Sequence, residues 1–157
     1  MKVFISHKKD DAALALEIQR EFIKNGVSSY LDVLDSKITN DGKELTEHIK
    51  NNLNSCSDII VVMTADTKYS WWVPFEIGMS AQVDMPTASF LSADVTLPSY
   101  LSYWPQLKSI GDIDTYIAVR KRVEQTINKQ LGSYYTLSSR RPIETQVFYD
   151  ALKRELR

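Results

Sequence analysis

Ile59-Ile60-Val61-Val62-Met63 is apolar at every position, so both faces of any strand it forms must be covered. A strand at the surface of a sandwich alternates apolar and polar residues. An unbroken run calls for a parallel sheet with helices packed on each side. The rest of the chain fits that demand. Val3-Phe4-Ile5 reads as a buried strand, and Asp10 or Asp11 is placed to cap the helix after it. Leu14, Ile18 and Phe22 share one helical face, and Gly26 stands where a helix C-terminus favours glycine. Val27 to Leu31 reads as a weaker, edge strand. Asp41 and Glu44 are spaced as a capping box ahead of Leu45, Ile49 and Leu53.

Beyond the apolar run, Pro74 sets the start of a third helix at Trp71 or Trp72, because proline is tolerated only in a first turn. That helix is expected to reach Gln82. Thr87 to Leu91 reads as a fourth strand, and residues 94–107 as irregular, with a short fifth strand over Leu107 to Ile110. Asp112 is expected to cap a long helix with Tyr116, Val119, Val123, Ile127 and Leu131 on one face and Gly132 as its stop. Pro142 is expected to open a last helix carrying Val147, Phe148, Ala151 and Leu152. Strand and helix alternate, and the helices cover both faces of a parallel sheet. Ligands in such sheets bind at the carboxyl ends of the strands, which points to the loops 6–10, 32–42, 64–71 and 92–98.

Composition removes several function classes. With 157 residues there is room for one domain. Nineteen basic and 20 acidic side chains give a net charge of −1, against broad nucleic-acid binding. One cysteine and two histidines exclude a disulfide framework and argue against a metal site. The first residues, MKVFISHKKDD, are too short and too charged for a leader or membrane span, so a cytoplasmic location is expected. The five glycines build no phosphate-binding loop, and no serine sits in a nucleophile elbow. Charge divides along the chain: net −6 over residues 1–117 and net +5 over 118–157. That reads as a basic final helix on an acidic body, or as a docking surface.

The segment Ser70-Trp71-Trp72-Val73-Pro74-Phe75-Glu76 is left as the chemical centre. Trp72 and Glu76 are one helical turn apart and share a face at the carboxyl side of the sheet. A carboxylate beside an aromatic plane in an open pocket suits a planar, cationic ligand. The competing reading makes Glu76 a partner of the helix dipole in the first turn and places both tryptophans in the core. Cys56 reads as buried and inert, His48 as solvent-facing, and His7 otherwise as an exposed loop histidine. Tyr100, Tyr103 and Trp104 read as satellite core.

The chain resembles the TIR domain family in VFISHKKDD at 3–11, YLDVLDSKITNDGKELTEHI at 30–49, SDIIVVMTADTKYSWWVPFEIGMS at 57–80 and MPTASFL at 85–91. The resemblance covers roughly residues 1–130. It implies an α/β, flavodoxin-like three-layer sandwich with a five-stranded parallel sheet in the order 2-1-3-4-5. Residues 1–132 would be the TIR domain, and 133–157 a helical extension packed on it. Many members cleave NAD+ between nicotinamide and ribose, so the resemblance makes NAD+ the substrate, Glu76 the catalytic carboxylate and Trp72 a stacking wall. No cofactor or metal is implied. Ser6, His7 and Lys8 match the loop after the first strand, and Asp35 and Ser36 the loop after the second. Where some NAD-cleaving members have an aromatic after a glycine, this chain has Gly42-Lys43-Glu44-Leu45.

The chain further resembles the stand-alone TIR proteins of antiphage systems such as Thoeris. That implies self-association through TIR–TIR contacts and a nucleotide signal, either a cyclic ADP-ribose isomer or an ADP-ribose conjugate, read by a downstream effector. Two alternatives are a non-catalytic adaptor module and an enzyme like the nucleoside deoxyribosyltransferases.

Overall fold

The computed structural model describes residues 1–31, 42–92, 95–99, 101–131 and 136–156. Five strands form one sheet: β1 (Lys2–Ser6), β2 (Ser28–Leu31), β3 (Asp58–Met63), β4 (Thr87–Leu91) and β5 (Gln106–Leu107). Their order is β2-β1-β3-β4-β5 and every pairing is parallel. The expected sheet is therefore the observed one. Every residue of β3 is buried, as its unbroken apolar run requires. The fifth strand is shorter than expected and starts one residue earlier.

The helices are α1 (Ala12–Lys24), α2 (Gly42–Asn54), α3 (Trp72–Gln82), α4 (Gly111–Leu131) and α5 (Leu137–Glu155). Gly26 follows α1 with a φ of +70°, the left-handed turn that glycine adopts without strain. Ile18 and Phe22 from α1 and Leu53 from α2 are buried in a common core with the sheet, with Leu14 partly buried against it, and Ile49 of α2 is fully buried. Phe22 meets Tyr116 of α4 edge-on at 6.2 Å, and Tyr116 meets Phe148 of α5 at 5.0 Å. Such T-shaped pairs match the quadrupoles of the two rings.

Two predicted caps act differently. The Asp11 carboxylate makes no cap bond; it accepts from the hydroxyls of Thr64 and Thr67, tying the loop after β1 to the loop after β3. A 3₁₀ turn at Lys9–Asp11 leads into α1 instead. Asp112 lies inside α4 and accepts from the backbone N–H groups of Lys108 and Ser109, bracing the turn before the helix. Asp41 and Gly132 lie outside the described residues.

The last helix departs most from expectation. It begins at Leu137, and Pro142 lies inside it. Thr136 is the true start signal: its hydroxyl accepts from the Ser139 N–H. Val147, expected on the apolar face, is exposed, while Phe148 and Leu152 are fully buried in the common core and Ala151 packs partly buried beside them. Burying side chains of that size contributes roughly 1.5–3 kcal/mol each. Among the described residues no helix is long and apolar enough to cross a membrane.

Candidate active site

The sheet order reverses between β1 and β3, and the loops leaving their carboxyl ends diverge there. Ser6 closes β1 and is fully buried. Glu76 lies on α3, whose buried stripe is Val73, Glu76, Ile77 and Ser80. A carboxylate thus occupies a core-facing position on a buried stripe whose other members are uncharged. Burying a charge is costly unless it is hydrogen-bonded. Here the Ser6 hydroxyl donates to Glu76 Oε2 across 70 residues of sequence. With Glu76 ionised this bond is charge-assisted, the stronger kind.

This geometry overturns the competing reading of the segment. Glu76 lies past the first turn of α3, and that turn holds no acidic residue. Trp71 is 90 % exposed, so it is not core. Trp72 is half-buried, with its ring edge-on to Phe75 at 6.1 Å.

The geometry also corrects the expectation that Glu76 faces an open pocket. It is only 1 % exposed. A cavity of about 350 Å³ lies nearby at the carboxyl end of β3, between Val73 and Ile77 of α3 and Val95, Pro98 and Leu101, but Glu76 does not line it.

The other expected residues are distributed as follows. His7, read as an exposed loop histidine if it had no role, is 8 % exposed, with Nδ1 3.3 Å from the Ile5 carbonyl oxygen. Lys8 turns to Asp10 in a 2.7 Å ion pair that raises the lysine pKa, chiefly through the hydrogen bond. Asp35 and Ser36 lie outside the described residues. The structure therefore brings Ser6 and Glu76 together, sets His7 beside Ser6 in the chain and Trp72 one turn before Glu76, and directs Lys8 to Asp10. Cys56 is buried, and burial pushes its thiol pKa up, as expected of an inert cysteine. His48 is half-buried against β2, its Nε2 3.1 Å from the Tyr30 hydroxyl and 3.2 Å from Asn52 Nδ2; it does not face solvent freely. Trp104 is buried and Tyr103 lies on it at 4.5 Å, largely exposed. Tyr100 lies outside the described residues.

A second polar centre has no counterpart in the sequence reading. Asp58, at the amino end of β3, is fully buried. Its Oδ1 accepts from Tyr116 Oη and Arg120 Nε, both at 2.9 Å, and its Oδ2 from Ser57 Oγ at 2.6 Å. Arg120 also reaches Glu144 Oε1 at 2.5 Å, and Arg140 reaches Glu144 Oε2 at 3.3 Å. Burial opposes the Arg120 charge, but Asp58, Tyr116 and Glu144 outweigh it and raise the pKa. Burial beside Asp58 likewise drives the Tyr116 hydroxyl well above its ordinary pKa. The only signal in the sequence was an acid placed directly before the apolar run of β3. Three of the nine basic side chains of residues 118–157 are engaged here and in the Arg122–Glu155 pair.

A family model described as TIR domain matches residues 3–131. The chain belongs to the TIR domain family. Its members act as NADases or as adaptors. Among solved structures the chain is similar to the TIR domain of the Toll-related receptor TRR-2 from Hydra magnipapillata. The identity is 16 %, the TM-score 0.57, and the match covers 67 % of this chain and 81 % of that one. It is also similar to the TIR domains in the activated Roq1 resistosome recognising the effector XopQ. There the identity is 14 %, the TM-score 0.48, and the coverage 98 % of this chain and 81 % of that one. The Hydra likeness establishes a shared fold. No curated protein gave a significant match.

Proposed function

We propose that this TIR domain cleaves NAD+ at the nicotinamide–ribose bond, with Glu76 as the essential carboxylate. The observation carrying the reading is the buried Ser6–Glu76 pair beside the point where the sheet order reverses. Nicotinamide leaves with the electron pair of the broken bond, and the ribose is left with oxocarbenium character. A carboxylate held near the ribose stabilises that developing charge. Ser6 orients the carboxylate. Trp72 stacks on the dinucleotide, and His7, Lys8, Asp35 and Ser36 contribute polar contacts to ribose and phosphate. Lys8 would exchange Asp10 for phosphate.

Because Glu76 is closed off in this conformation, the ribose reaches it only when the packing around the carboxylate opens. Activity is therefore expected to depend on assembly or a trigger. The ADP-ribosyl group then passes to water, to its own adenine or to another acceptor. In the full reading this yields a cyclic ADP-ribose isomer or a conjugate that acts as a cytoplasmic antiphage signal to a separate effector.

A second reading has its own observation. Tyr69, Trp71 and Phe75 are exposed together at the start of α3 while Glu76 is buried. That favours a non-catalytic domain that self-associates through this aromatic surface.

The test is nicotinamide release from NAD+ by the purified chain, dilute and concentrated, with Glu76→Gln as the comparison. Release that falls to background in Glu76→Gln supports cleavage. Equal release from both proteins overturns it. Silence from both, with a concentration-dependent mass that Trp71→Ala abolishes, supports the second reading.

A further inference from the structure

At the amino ends of β3 and β4, the rim of the sheet opposite Glu76, a cavity of about 730 Å³ lies between α4, α5 and the turn before β4. Pockets for small ligands run from about 300 to 1,000 Å³. One wall is α5, which lies beyond the residues matched by the family model.

Three arginines line the cavity: Arg120, Arg140 and Arg141. Arg120 engages Asp58 through Nε and Glu144 through Nη1, while its Nη2 has no partner among the described residues. Arg140 engages Glu144 through Nε and Asn128 through Nη2, which leaves its Nη1. Arg141 touches the Val83 carbonyl oxygen through Nη1 at 3.4 Å and pairs with no carboxylate among the described residues. The acceptors beneath them are already engaged. Each oxygen of Glu144 takes one guanidinium, and both oxygens of Asp58 are bonded.

The cavity thus presents guanidinium N–H groups held in place by their other bonds. Forked donors of this kind match the oxygens of a phosphate. Two further carboxylates, Glu124 and Asp84, are exposed on the same lining. Ionised carboxylates only accept hydrogen bonds, so they suit sugar hydroxyls and not phosphate. The Asp84 side of the rim is preformed. Asp84 adopts a left-handed φ of 50°, which few non-glycine residues do, and the Thr145 hydroxyl donates to its carbonyl oxygen at 2.8 Å.

We propose that this cavity binds a phosphorylated, hydroxyl-bearing small molecule of the nucleoside diphosphate class. The phosphates lie on the three arginines, and the sugar hydroxyls on Glu124 and Asp84. The site is separate from Glu76 and stands whether or not Glu76 acts on NAD+.

The test is calorimetric titration of the full chain with ADP, inorganic pyrophosphate and adenosine, with ¹H–¹⁵N spectra recorded on ADP addition. ADP and pyrophosphate bind, adenosine does not, and the shifts gather at residues 82–84, 120–128 and 140–145. Arg141 is exposed with a single weak bond, so Arg141→Ala folds and binds ADP at least about tenfold more weakly. Asn128→Asp keeps an acceptor for Arg140 but adds negative charge, and weakens ADP by a similar factor with no loss of melting temperature. Glu76→Gln leaves ADP affinity unchanged. No binding of ADP or pyrophosphate at millimolar concentration overturns the proposal. So do shifts that gather at Ser6, Trp72 and Glu76 with none at residues 82–84, 120–128 and 140–145, or undiminished affinity in both cavity variants.

Discussion

Replacing Arg120 with methionine isolates the polar centre beneath α4 and α5. Methionine keeps much of the buried stem and removes the charge. Asp58 would remain fully buried, still bonded to the Tyr116 and Ser57 hydroxyls but with no cation. Removing one partner of a buried ion pair costs about 3–5 kcal/mol. The two remaining donors place the expected loss near the lower end, at about 3 kcal/mol. In a chain of this length each kcal/mol moves the melting temperature by roughly 2–4 °C, so the expected fall is about 6–12 °C. Urea unfolding and a thermal melt measure it. Neutralising the stranded acid as well, in Asp58→Asn/Arg120→Met, should recover about 1 kcal/mol or more over Arg120→Met alone, because an amide costs less to bury than an unpaired carboxylate. Lys121→Ala, an exposed neighbour, should stay within about 0.5 kcal/mol of the parent. The reasoning fails if Arg120→Met loses under about 1 kcal/mol, or if the double variant is no more stable than the single one.

Three further outcomes are expected. Ser6→Ala removes the donor to Glu76, and a bond to a charged group contributes about 1.5–3 kcal/mol, so nicotinamide release should fall roughly 10- to 100-fold with the fold intact; a change within about twofold denies Ser6 an orienting role. Burial pushes Tyr149 up to about 12, against the hydrogen bonds it makes at Thr87. Its native state therefore holds a proton that the unfolded chain releases near pH 10, and stability drops by about 2–3 kcal/mol between pH 10 and 12. Denaturant titrations across that window should show the drop, and a smaller one in Tyr149→Phe, which also strands the Thr87 N–H and costs about 1–3 kcal/mol at neutral pH. Gly26→Ala forces a side chain onto a φ of +70° and should cost about 1 kcal/mol in urea unfolding; no loss would mean that the turn relaxes.

The elements that could be read from the sequence were those whose signal is local. β3 announced itself by an apolar run that only a covered strand tolerates, and α3 by a proline that fixes its first turn. Pro142 carries the signal of a first-turn proline, yet α5 starts at Leu137, because the weaker threonine cap at Thr136 lies six residues earlier. Asp11 and Asp112 differ from the cap expectation because an acid before a helix has several possible partners: Asp11 takes hydroxyls from the loop after β3, and Asp112 the backbone N–H groups of the turn before α4. At the candidate site, spacing placed Glu76 and Trp72 on one helix, but no local rule predicts that a serine 70 residues earlier covers the carboxylate. The Asp58–Arg120–Glu144–Arg140 chain and the cavity above it arise from four separated segments, so no single window of sequence contains them.

Tyr149 has a consequence for how the molecule comes into being. Its hydroxyl accepts the N–H of Thr87, the first residue of β4, 62 positions earlier. During synthesis, β4 would therefore wait with that amide left to water until the final helix had left the ribosome and docked. A nascent chain halted at residue 131 should consequently be easy prey for proteases, however complete its sheet looks on paper.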